Sequence, residues 1–192
     1  LLINAIDCEQ FHPNKRTRKP DDSDIKILLL HHDYAWKGTK EGVEVIANLQ
    51  KKYPNVKLVL FGTRKKNVEY KCDEYYYKFS GDKLAKLFAN SDILVGPSWD
   101  EGLNFPPRWA MASGCAVVTY DNGSSDEYAF DGDTALVAER KNTQDLSRKI
   151  ESLIVDTQLR KKIALRGMEY VRQMPTWEKL TDTLEEILKN GA

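Results

Sequence analysis

The feature that most limits the folds open to this chain is an alternation of short apolar runs with amphipathic helical stretches. The runs fall at residues 25–31, 56–61, 75–79, 92–95, 116–120 and 135–138. Helical patterns follow at 39–52, at 82–89 and from about Asn104 to Gly114, then three in succession at 143–155, 159–174 and 176–189. In the first of these Val43, Ile46, Ala47 and Leu49 share one face, and Tyr53-Pro54-Asn55 ends it because proline has no N–H to donate. Continuous apolar runs of strand length are buried on both sides. The pattern therefore predicts an α/β fold, a parallel sheet of about six strands with helices on both faces. Open sheets of this kind bind ligands at the carboxyl ends of their strands.

The 192 residues suit one domain, and 41% hydrophobic with 10% aromatic content is too apolar for a disordered chain. Lys plus Arg number 29 and Asp plus Glu 29, so no nucleic-acid partner is expected. The longest apolar run, 27–30, is far short of the ~20 residues that span a bilayer, and membrane association is not evident. Cys8, Cys72 and Cys115 form no CxxC pair, which supports neither a disulfide framework nor a cysteine zinc site; the expected location is the reducing cytoplasm. The opening Leu1-Leu2-Ile3-Asn4 lies inside an apolar, strand-like segment and reads as a fragment of something longer. Residues 14–24, polar and changing from basic to acidic around Pro20, read as an exposed loop.

Chemistry is expected just after the strands. The segment 97–114, PSWDEGLNFPPRWAMASG, carries Asp100, Glu101 and Gly102 into a helix, with Asn104 as N-cap and Pro106 and Pro107 in the first turn. Amides near Leu103, Asn104 and Phe105 then point out of the helix start, where they attract phosphate or another anion. Glu101 beside them suits sugar hydroxyls, although ordinary solvated loop acids are an equal reading. Lys37, after the first core strand, places an ammonium where it neutralises phosphate. His31, His32 and Asp33 are poor shared metal ligands, since adjacent strand residues point to opposite faces. Small residues at 121–127, with Gly123, Ser124 and Glu127, allow close backbone approach to a ligand, or form a simple turn. Arg64-Lys65-Lys66 reads as a basic turn. GxGxxG, Walker and GxSxG patterns are absent.

These residues, in this order, resemble the C-terminal donor-binding domain of the retaining glycosyltransferases of family 4 (group 1). Asn4-Ala5-Ile6-Asp7 with Phe11 and Pro13 is similar to the family's NGID…F…P entry, and Lys37-Gly38 to its KG. Residues 91–98, SDILVGPS, resemble its PS-ending strand. Glu101-Gly102-Leu103-Asn104-Phe105-Pro106 followed by 110–118 resembles EGFGLP..EAMA.G.PVV. Gly123 and Glu127 fit GG..E, Asp131-Gly132 the dG after it, and Trp177 the late sW helix.

The resemblance implies a Rossmann-like half of a GT-B fold that binds a nucleotide-diphosphate sugar. It gives Lys37 the diphosphate and Glu101 the sugar hydroxyls as catalytic residues. Gly102, Leu103, Asn104 and Phe105 hold phosphate or sugar, Phe79 meets the base, and Gly123, Ser124 and Glu127 close the pocket. No metal or other cofactor is expected. The acceptor, a glycan or lipid, would come through an N-terminal domain missing from residues 1–192, and transfer would retain anomeric configuration. Two departures stand out. Trp109 occupies the place of the second glutamate of E-x7-E, usually a ribose ligand, and is expected to stack on the ribose or base instead. His31 stands where an arginine usually precedes the lysine. An epimerase of the same fold and a non-catalytic, degenerate scaffold module are the alternatives.

Overall fold

The computed structural model describes residues 5–19, 22–63 and 70–190. Six strands form one sheet: β1 (Ile25–Leu30), β2 (Val56–Gly62), β3 (Glu74–Tyr77), β4 (Ile93–Gly96), β5 (Ala116–Tyr120) and β6 (Leu136–Ala138). Their order is β3-β2-β1-β4-β5-β6, and every pairing is parallel. Around it lie α1 (Thr39–Lys52), α2 (Gly81–Ala89), α3 (Phe105–Ala112), α4 (Thr143–Val155), α5 (Thr157–Val171) and α6 (Trp177–Asn190).

Successive strand residues divide between two cores because side chains alternate across a pleated sheet. Ile27, Leu29, Leu58, Leu60, Ile93 and Val95 face α1 and α4, packing on Val43, Ile46, Leu146 and Ile150. Leu28, Val59, Leu94 and Val117 face the other way, onto Phe88 of α2 and Ala110 and Met111 of α3. Each aliphatic side chain buried in this way contributes about 2 kcal/mol. The expected Rossmann-like parallel sheet with two covered faces is what the chain forms.

Several boundaries differ from the sequence reading. The third strand stops at Tyr77 because Lys78 turns left-handed (φ 52°), which carries Phe79 out of the sheet. The described residues of the expected loop, 14–19 and 22–24, are less free than expected: Arg18, 8% exposed at its side chain, binds Asp22 at 2.8 Å and Asp92 at 2.6 Å, and Arg16 also reaches Asp92 at 2.8 Å. Two guanidinium groups thus tie the loop to the turn before β4. Residues 1–4, including Asn4 of the entry motif, together with Pro20, Asp21 and the basic turn 64–66, lie outside the described residues.

The sheet order reverses between β1 and β4, whose onward connections leave in opposite directions along the sheet. A crevice opens above their carboxyl ends, and a ligand is expected there. Gly38 sits on its floor at φ 64°, where a Cβ would come within 1.9 Å of the Pro97 carbonyl oxygen. Glycine is required on both counts. Gly38→Ala is expected to lower stability by about 3 kcal/mol, read as a fall in melting temperature on the order of 5–10 °C by calorimetry.

Candidate functional site

Three loops meet at this crevice. The β1–α1 connection ends in a 3-10 turn, Ala35–Lys37, which presents Lys37 just before α1. The β4–α3 connection brings Glu101, and the two side chains pair, Lys37 Nζ to Glu101 Oε1 at 2.7 Å. Glu101 is only 7% exposed at its side chain, so the pair is held within the protein surface. The backbones are joined as well: Trp99 N–H donates to Trp36 O at 2.7 Å, and Glu101 N–H to Asn122 O at 2.9 Å. That second bond ties in the β5 loop, where the Asn122 side chain accepts from Ser125 N–H at 3.1 Å and from the Ser124 hydroxyl at 3.3 Å.

Beside the pair lies a cavity of about 370 Å³, whose walls include Lys37, Phe79, Leu103, Asn104, Phe105 and Trp109. Asn104 occupies the N-cap position of α3, but its side chain makes no capping bond, contrary to the capping role expected from sequence. Pro106 and Pro107 have no N–H groups to offer. The amides of Leu103, Asn104 and Phe105 have no acceptor among the described residues. A cluster of unbonded amides at a helix start, one ammonium away, is suited to an anion. Among the described residues no group of three His, Cys, Asp or Glu side chains could hold a metal ion.

The residues singled out from sequence thus divide. Lys37, Leu103, Asn104, Phe105, Phe79 and Trp109 share the cavity, with Glu101 bonded to Lys37 at its edge and Gly102 exposed beside it. Gly123 lies behind Glu101, and Ser124 is buried. His31 is not on these walls: it is 8% exposed, its Nδ1 shares a hydrogen bond with the Tyr75 hydroxyl at 2.9 Å, and its ring meets Tyr70 and Tyr75 edge-on. Trp109 already stacks on Phe11 (5.0 Å between centroids, 6° between planes) and on Phe105 (5.5 Å, 14°). The ring that was expected to stack on a ribose or base is therefore fixed by two phenyl rings.

Glu127 turns from the crevice to Arg108 of α3, whose Nη2 it accepts. Sequence reasoning missed Arg108. It is fully buried, its guanidinium lies 5.1 Å from the centre of the Tyr128 ring, and its Nε and Nη1 have no partner among the described residues. The Tyr128 hydroxyl, its pKa pushed up to about 12 by burial, faces Thr119 and Ser124 without meeting either in bonding geometry. The signal was present: Arg108 is the lone charge in an otherwise apolar helix.

Residues 11–169 match the family model described as glycosyl transferases group 1. The chain belongs to that family. An N,N'-diacetylbacillosaminyl-diphospho-undecaprenol alpha-1,3-N-acetylgalactosaminyltransferase of Campylobacter jejuni is 31% identical over 144 residues, covering 72% of this chain and 38% of that protein. An uncharacterized glycosyltransferase of Methanocaldococcus jannaschii is 34% identical over 100 residues, 52% of this chain and 28% of the relative. The chain thus spans well under half the length of these relatives. The crystal structure of the C-terminal domain of a group 1 glycosyl transferase from Francisella tularensis superposes with a TM-score of 0.76 at 23% identity, covering 90% of this chain and all of that one. HepE of Anabaena, crystallised with UDP-glucose, gives 0.80 at 19% identity over 98% of this chain and 57% of its own. Both share the fold of this group 1 domain.

The pairing of a buried cation with a partly exposed carboxylate predicts unequal mutant effects. Removing Glu127 (Glu127→Ala) strands the Arg108 guanidinium and is expected to cost about 3–5 kcal/mol. Arg108→Met leaves a carboxylate that water can reach, and its loss is expected to stay within about 1 kcal/mol. Urea denaturation of the two variants measures the difference.

Proposed function

We propose that this chain is the donor-binding half of a retaining glycosyltransferase, which holds the pyrophosphate of a nucleoside diphosphate sugar between Lys37 and the amides of Leu103, Asn104 and Phe105. The observation that carries this reading is that Lys37, Leu103, Asn104 and Phe105 line one cavity beside the point where the sheet order reverses. Glycosyl transfer breaks the bond from the sugar's anomeric carbon to the diphosphate, and negative charge builds on the departing oxygen. Fixed donors aimed at that oxygen stabilise it, and an ammonium adds a full charge. Lys37 has three N–H donors and spends one on Glu101, leaving two for phosphate. Glu101, held by its own ion pair, is positioned to accept from sugar hydroxyls. No metal is assigned to this step.

The acceptor, a glycan or a lipid, would be supplied with groups from outside this domain. No helix among the described residues is long and apolar enough to cross a membrane. The three free cysteines suit the reducing cytoplasm.

Calorimetric titration of the full chain with a panel of nucleoside diphosphate sugars tests the reading. Binding is expected for at least one. Lys37→Ala should weaken it by about 30- to 150-fold, the loss of a charged hydrogen bond worth ~2–3 kcal/mol. A chain that binds none of the panel would favour the scaffold alternative, and an affinity indifferent to Lys37→Ala would remove the lysine from the site.

A further inference from the structure

Resting on the reading just given, we propose that the nucleoside end of the cavity does not read the ribose hydroxyls, so that 2′-deoxynucleoside diphosphates are held as firmly as their ribonucleoside counterparts. Once the pyrophosphate occupies Lys37 and the helix start, the nucleoside has the remainder of the same cavity, walled by Phe61, Phe79, Leu84, Phe105 and Trp109. A ribose brings two adjacent O–H donors into this space. Donors drawn out of water need acceptors, and the acceptor that serves a vicinal diol best is a carboxylate, whose two oxygens make charge-assisted bonds.

None of the described residues on these walls is Asp or Glu. The polar side chains are those of Lys37, Thr63 and Asn104. The ammonium of Lys37 can only donate, and a hydroxyl and an amide are uncharged acceptors. The nearby carboxylates are committed elsewhere: Glu101 to Lys37 at the pyrophosphate end, Glu127 to Arg108, and Asp7, in the adjoining cavity that shares Phe79, Leu84, Phe105 and Trp109, to the Glu9 and Gln10 amides through its Oδ1. Trp109 supplies an indole N–H, a donor with no acceptor capacity, and its stacking on Phe11 and Phe105 keeps the ring in place. Removing the 2′-hydroxyl from the ligand therefore removes no bond to a carboxylate among the described residues of these walls. What selects the ligand at this end is its fit to an aromatic-walled space.

The test compares UDP with 2′-deoxy-UDP, which carry the same base, by calorimetry on the full chain. The two dissociation constants are expected to agree within about fivefold. In Trp109→Glu, which supplies the missing carboxylate, UDP should become the tighter ligand by tenfold or more. A wild-type preference for UDP beyond fivefold would overturn the inference while leaving the donor-binding reading in place. Failure of this pair and of the corresponding GDP and ADP pairs to bind would remove both. A Trp109→Glu variant that melts like the parent yet keeps the parental ratio would also overturn it, by showing that residue 109 does not border the sugar. Trp109→Gln, with a neutral acceptor, accompanies the glutamate variant in case that one fails to fold, and the wild-type ratio stands independently of both.

Discussion

The Pro97 carbonyl occupies the space that any side chain at residue 38 would need. That close approach presses the connection leaving β1 against the one leaving β4, on either side of the line where the sheet changes direction. Lys37 is the neighbouring residue, so its ammonium has little choice of surroundings and meets Glu101. A second strut, Trp99 to Trp36, repeats the contact at the backbone level. The site is thus set by main-chain packing before any side chain chooses a rotamer. Positioning groups through rigid elements is the arrangement catalysis favours, because nothing need be ordered when charge develops.

The ion pair also has an electrostatic effect. An unpaired ammonium at a helix start would attract any passing anion. Neutralised by a carboxylate that is itself mostly buried, it offers a weaker field to simple ions. A ligand presenting hydroxyls to Glu101 and phosphate to Lys37 and the amides meets both partners at once. On the proposed reading, the pairing would favour a molecule with both features.

Much of the scaffold could be read from the sequence because period and composition report burial directly. Runs such as 56–61 and 116–120 became central strands, and the stripe of Val43, Ile46 and Leu49 became the packed face of α1. That Lys37, Glu101 and the amides at the start of α3 come together was legible because each follows a strand, and strand ends in a parallel sheet converge. Partner choice was not legible. Nothing local says that His31 packs among tyrosines, that Glu127 pairs with Arg108, or that Trp109 is sandwiched by Phe11 from a segment nearly a hundred residues away. These are long-range contacts, set by how segments far apart in sequence pack against one another. The left-handed turn at Lys78, at a residue other than glycine, escaped for a related reason, since propensity there argues against what packing enforces.

The paired prolines of α3 have a consequence beyond starting a helix. An ordinary first turn offers a run of exchangeable amide protons to an incoming anion, whereas here Pro106 and Pro107 offer none. The protons that could register an arriving phosphate are concentrated in Leu103 and Asn104, just before the helix, and Phe105, its first residue. In a nitrogen-detected spectrum, occupation of the crevice would therefore show as a handful of displaced signals from one short stretch of backbone. The helix behind it, its entry torsions already fixed by two pyrrolidine rings, would stay almost silent.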